Sequence, residues 1–207
     1  MRPPFTEAMA AQVRQSILDA IVRIDAGDAG TMASDSAALT VECARAPIAP
    51  ARLARAHPGD AAARERARQL YERCLQHYRC VVRAQDQGSG LDDAGAAVAA
   101  FVAANLGALQ ARPVTPGMLR ALQRQLHGIT RASSGWKAAP VVERQAYFEQ
   151  MALLAVLVAE SAAQAASQGA AAVAKVQHAA RGYLRQLLGL DPDHLTLGPD
   201  GLAVRTP

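Results

Sequence analysis

The chain has 207 residues, of which 51% are apolar and 19% charged, so it can bury a real core and is not disordered by composition. Alanine fills 48 positions and aromatic residues only 4%; alanine favours helix and disfavours strand, which excludes an all-β chain. Twenty-two basic residues against 18 acidic leave a net charge of +4, too little to drive binding to a polyanion.

All the basic residues except Lys137 and Lys175 are arginine. The guanidinium fork suits phosphate, but these arginines are spread along the chain and interleaved with acids. A GC-rich genome, which favours Arg with Ala, Gly and Pro, accounts for them, and no nucleic-acid partner is expected.

The first helix is expected from Thr6 to Ala26, with Val13, Ile17, Ala20, Ile21 and Ile24 on one face and Gly27 as its stop. Residues 28–58 form an irregular segment punctuated by Pro47, Pro50 and Pro58. A compact domain rarely carries thirty structureless residues, so local structure is expected there: an extended piece at Leu39–Cys43 or a helical turn at Ala51–Ala56. Asp60 caps a long helix to about Gln85, with Ala63, Ala67, Leu70, Tyr71, Cys74, Tyr78, Val81 and Val82 as its apolar stripe.

Asp92 and Asp93 open a helix to about Gln110, where the macrodipole favours negative charge. Its interior is apolar all round except for Asn105, which marks a helix surrounded by others. Gly95, Ala99, Ala103 and Gly107 form a strip of small residues that lets a neighbour approach. Thr115-Pro116 starts the next helix, N-cap then Pro at the first turn, and Ser133-Ser134-Gly135 closes it. Pro140–Gln168 is the longest helical pattern, and Ala170–Leu188 follows with Gly189 as its cap. Leu195 and Leu197, then Pro199-Asp200-Gly201, then Leu202 and Val204 read as a small β-hairpin in a tail spanning 191–207. The expected fold is all-α: one domain over residues 1–207, a bundle of about six helices with a C-terminal hairpin, centred on Asp92–Gln110 and Pro140–Gln168.

The two most apolar runs, Ala94–Leu109 and Met151–Ala159, are shorter than the ~20 residues a bilayer span needs, so an integral membrane protein is not expected. Met1-Arg2-Pro3-Pro4 lacks the apolar core of a signal peptide, so the protein is expected to be cytoplasmic, or a mature exported form carrying a start Met.

The C-terminal half, with its Asp92–Leu109 helix, Thr-Pro helix, Gln145-Ala-Tyr-Phe-Glu to Val158 helix and the ending Leu190-Asp-Pro-Asp-His-Leu-Thr-Leu-Gly-Pro-Asp-Gly-Leu202, resembles an uncharacterised, mostly α-helical bacterial family often found behind signal peptides. The opening Val13-Arg-Gln-Ser-Ile-Leu-Asp-Ala20 is similar too. The resemblance implies a bacterial, periplasmic or secreted protein and carries no active site to transfer.

No catalytic motif stands in the chain. His57, His77, His127, His178 and His194 never fall at i, i+4 and no Glu-x-x-His occurs, so neither a metal nor a cofactor is expected. There is no G-x-S-x-G, and Gly88-Ser89-Gly90 runs into two acids rather than a lysine. The nearest thing to a nucleophile is Cys80, with His77 and Arg83 near it; a structural thiol or disulfide partner is the preferred reading.

Cys74 and Cys80 lie six apart on one helix, about 240° round, and cannot bridge. If the protein is exported, the expected disulfide is Cys43–Cys80, with Cys43–Cys74 as its rival. The Cys43–Cys80 bridge would close a loop of nearly forty residues, worth roughly 3 to 4 kcal/mol on the chain-entropy model, and would pin the Pro-rich stretch. Trp136 and Lys137 are a candidate interaction surface, although a lone Trp in a loop is more often a plug closing the end of a bundle, which is the preferred reading of Trp136. The expected function is therefore a non-enzymatic helical interaction protein, with a protein partner or a second copy. The alternative is an enzyme with a motif-free pocket between helices.

Overall fold

The computed structural model describes residues 7–25, 39, 41, 46–85 and 92–204. Among these run eight helices, α1 (Glu7–Asp25), α2 (Ala49–Ala56), α3 (Ala61–Gln85), α4 (Ala94–Gln110), α5 (Pro116–Ala132), α6 (Ser134–Ala138), α7 (Val141–Gln168) and α8 (Ala170–Leu188). A 3-10 turn, Pro192–His194, leads into an antiparallel hairpin of β1 (Leu195–Gly198) and β2 (Gly201–Val204). The fold is all-α with a C-terminal hairpin. Six helices are those the periodicity indicates; the two others, α2 and α6, are short. The expected ends of α1, Thr6 and Gly27, lie outside the described residues.

Local chemistry sets the boundaries. Asp60 accepts the Ala63 N–H at 2.7 Å and Asp93 the Ala96 N–H at 2.7 Å, each satisfying an orphan donor of a first turn. Thr115 caps α5 through Met118, with Pro116 as its first residue. Gly189 closes α8, its N–H bonding the Arg185 carbonyl at 2.8 Å.

The core is asymmetric. α1 buries one stripe, Met9, Val13, Ile17 and Ile21. α4 is buried nearly all round and packs on α5, α7 and α8; α7 packs on α2, α3, α4 and α8. That places α4 and residues 145–158 of α7 at the centre, as the nearly all-round apolar character of α4 requires. Past Val158, however, α7 is mostly exposed, and its last turns pair with the first turns of α8 around Gly169 as a projecting helical hairpin. These turns carry Ala, Ser and Gln rather than large apolar side chains, so they have little to bury. A small cluster of Ala108, Val158 and Ala180, backed by Ala162 and Val176, supports their base. On α3, Ala67, Tyr71, Cys74, Leu75 and Tyr78 are buried, whereas Val81, placed in the stripe by spacing, is exposed.

Among the described residues α7 is the one helix long and apolar enough to cross a membrane, and 67% of its apolar window is buried in the bundle. That burial marks the core helix of a fold rather than a lipid-facing span.

The tail is bound to the bundle. Leu195 and Leu202 are buried, and the Gln125 amide of α5 meets the β2 backbone twice: Nε2 donates to the Leu202 carbonyl at 2.8 Å and Oε1 accepts its N–H at 2.7 Å. Gly201 sits at φ +115°, and a Cβ there would lie 2.6 Å from Gln125 Oε1, so glycine is required twice over. Arg181 and Arg185 of α8 hold Asp193 and Asp191 ahead of β1. Gly201→Ala should cost about 1–3 kcal/mol, and deletion of residues 191–207 should lower the melting temperature by several degrees. An unchanged melting curve for the truncated chain would mean that the hairpin contributes nothing.

Candidate functional site

The described structure buries two carboxylates, Asp93 and Glu149, and both end on the irregular segment. Burying a charge is costly unless its oxygens are satisfied, so their partners are informative.

The first clasp holds residues 39 and 41. The Leu39 carbonyl accepts the Ala94 N–H, and the Val41 N–H donates to the Asp92 carbonyl at 2.9 Å, a short β-like bridge in front of α4. While its Oδ1 caps α4, Asp93 Oδ2 accepts the Leu39 N–H at 3.0 Å; His127 Nε2 of α5 lies 3.2 Å from the same N–H and 3.7 Å from Oδ2. Asp92 takes a two-pronged ion pair from Arg79 of α3, at 2.9 and 3.1 Å. Burial, then the charges of Asp93 and Asp92, push the neighbouring Tyr78 hydroxyl well above the usual tyrosine range. His127 reaches the clasp because Gly95 has no side chain: a Cβ there would lie 2.8 Å from His127 Cα. Of the strip Gly95–Gly107, this end carries the close approach.

The second clasp holds residues 46–49. Glu149, fully buried in α7, accepts the backbone N–H groups of Ile48 and Ala49 at 2.7 and 2.8 Å. These are orphan donors at the start of α2, whose N-cap Ile48 offers no side-chain acceptor. A carboxylate from another helix therefore does the capping, where the helix dipole favours negative charge. Gln145, one turn earlier, bonds Glu149 Oε1 at 2.8 Å and the Ala46 carbonyl at 3.2 Å, and Arg52 meets Glu143 at 3.4 Å. Of the two structures expected for residues 28–58, both occur in part: an extended pairing at Leu39 and Val41, and a helix beginning two residues before Ala51.

Trp136 is not in a loop and offers no surface. It lies in α6, is 5% exposed, and packs edge-on against Tyr147 with the Arg144 guanidinium 5.7 Å from its ring. α6 folds back across the bundle end so closely that a Cβ at Gly135 would strike the Gln12 side chain at 2.5 Å, which leaves the indole facing inward. Lys137 is exposed beside it.

Cys74 and Cys80 are free thiols, one buried and one exposed; Cys43 lies outside the described residues. Burial, with Glu160 nearby, pushes the Cys74 thiol above its usual range. Under reducing conditions a thiol reagent should label Cys80 at once and Cys74 only on unfolding; equal rates would contradict the burial of Cys74.

Two open clefts lie among the described residues. One of about 450 Å³ lies between the projecting turns of α7 and α8, with Ser161, Gln164 and Lys175 on a floor of alanines. The other, of about 380 Å³, lies between the end of α4 and β1, lined by Arg112, Arg181 and Thr196. Among the described residues no three His, Cys, Asp or Glu side chains are grouped to hold a metal ion.

The clasps were missed from the sequence. Asp93 reads as a helix cap and Glu149 as one polar position in an apolar helix; the one available signal is that a charge on a buried face needs a partner. No curated protein and no solved structure matches the chain. One family does, over residues 6–205, a span that takes in both clasps, the central helices and the hairpin. The chain therefore belongs to the family of unknown function DUF6683.

Proposed function

We propose that the protein is a non-enzymatic helical interaction protein whose partner, another protein or a second copy, docks on the projecting α7–α8 hairpin. The observation that carries this is the length of helix sent beyond the core: residues 159–168 and 170–179 are mostly exposed and dominated by small side chains. Helices lined with alanine let another backbone approach closely, and an arm that buries little of itself has no evident role in stability. The use of both buried carboxylates as backbone clasps supports the same reading over an enzyme, because their oxygens are taken up by backbone N–H groups and neither lines the two clefts described above.

A photo-crosslinking residue placed at Ala166 or Ala174 in the producing cells should form one discrete protein adduct. The same residue at the exposed Arg66 of α3 should form none. Absence of an adduct at both hairpin positions would overturn the reading.

The proposal includes bacterial export to the periplasm or beyond, with a Cys43–Cys80 bridge formed there. The exposure of Cys80 supports that pairing over Cys43–Cys74. Non-reducing peptide mapping of the native protein tests it: three free thiols in an exported chain would defeat the bridge.

A further inference from the structure

We propose that the His127–Asp93 clasp on Leu39 is an acid-sensitive latch. One backbone N–H, that of Leu39, points at two acceptors at once, Asp93 Oδ2 at 3.0 Å and His127 Nε2 at 3.2 Å. An imidazole nitrogen accepts only through its lone pair, so the latched arrangement requires Nε2 bare and the ring proton on Nδ1. A proton added at Nε2 turns acceptor into donor and sets two N–H groups against each other. The same proton faces Asp93 Oδ2, 3.7 Å away. The imidazolium closes on that oxygen in a charge-assisted hydrogen bond and leaves the Leu39 N–H with Asp93 as its one remaining acceptor, shared with the imidazolium. Asp93 Oδ1 stays on Ala96, so the α4 cap survives. Acid therefore takes away one of the two acceptors of Leu39 and loosens the clasp, while the α4–α5 contact persists.

Asp93 is the ion-pair partner that faces the ring. Among the described residues it is the acidic group within 4 Å of the ring. Behind it stand Asp92, neutralised by Arg79, and the Tyr78 hydroxyl on α3. α5 itself contributes Arg120, Arg124 and Arg131; of the elements packed on α5, α1 brings Arg14 and Asp19, α6 brings Lys137, and the hairpin turn brings Asp200.

Amide hydrogen exchange in the full chain, corrected for intrinsic rates, tests this between pH 7.5 and 5.5, a range through which imidazoles take up a proton. Protection of Leu39 should fall about tenfold, the net worth of one hydrogen bond, while Ala96 on the same carboxylate stays unchanged. Nitrogen-15 spectra of the ring at pH 7.5 should show the proton on Nδ1. His127→Gln, which cannot titrate, should flatten the Leu39 profile. A proton on Nε2 at pH 7.5, equal Leu39 protection at both pH values, or acid loosening that survives in His127→Gln would each overturn the latch. If that variant does not fold, the two wild-type measurements decide.

Discussion

Replacing Glu149 with glutamine should detach α2 while leaving the rest of the bundle folded. The wild-type carboxylate satisfies two backbone N–H groups and the Gln145 amide from a fully buried position. Both α2 N–H groups meet one oxygen, Oε2, and the Gln145 amide meets the other, so glutamine can serve only one side. With its oxygen on Ile48 and Ala49 its NH2 faces the Gln145 NH2, and flipped it sets that NH2 against both N–H groups, which leaves a buried donor unpaired either way. Breaking such a set costs about 3 kcal/mol. For a chain of this size that is a fall of roughly 6–12 °C in melting temperature. The loss should be local first: trypsin should cut at Arg52 or Arg55 in the variant under conditions that spare the wild type. Glu149→Ala, which removes every acceptor and leaves a cavity, should cost more. A glutamine variant that melts with the wild type and resists trypsin would show that the carboxylate is not what holds α2.

Gly95 is the second sensitive position, for a steric reason. Any side chain there meets His127 backbone at 2.8 Å, and backbone on two packed helices has no rotamer with which to give way. Gly95→Ala should cost about 1–3 kcal/mol, and Gly95→Val more, because overpacking must separate α4 from α5. Gly182, at mid-helix in α8 with nothing within 4 Å of its would-be Cβ, is the matched control. There alanine should stabilise by about 0.5–1 kcal/mol through helix propensity. Denaturant melts of the two variants should therefore move in opposite directions. Movement in the same direction would mean that the α4–α5 contact is not tight at Gly95.

These variants mark the line between what was legible in the chain and what was not. α4 and the core of α7 are legible because a helix apolar on every side has one place to go. The ends of α4 and α5 are legible because Asp93 and Thr115 act on backbone donors three residues away. The hairpin is legible because Pro199-Asp200-Gly201 specifies its turn locally. Trp136 is legible as a plug at the bundle's end, but not as part of a helix, because five residues are too few to show a period and its burial depends on α6 packing against α1.

The clasps lie on the far side of that line. Glu149 meets Ile48 across 101 residues of sequence, and Asp93 meets Leu39 across 54. Backbone N–H groups carry no side-chain signature, so nothing in residues 39–49 announces that a distant carboxylate will bind them. Helical class, helix order, most caps and the central pair follow from alanine content, apolar period and capping chemistry, all of which act within a few residues. Tertiary packing alone decided that the buried charges serve the irregular segment, that a short helix carries Trp136 and that α7 outruns its core. Each depends on where chain-distant backbones meet, and only the folded arrangement brings them together.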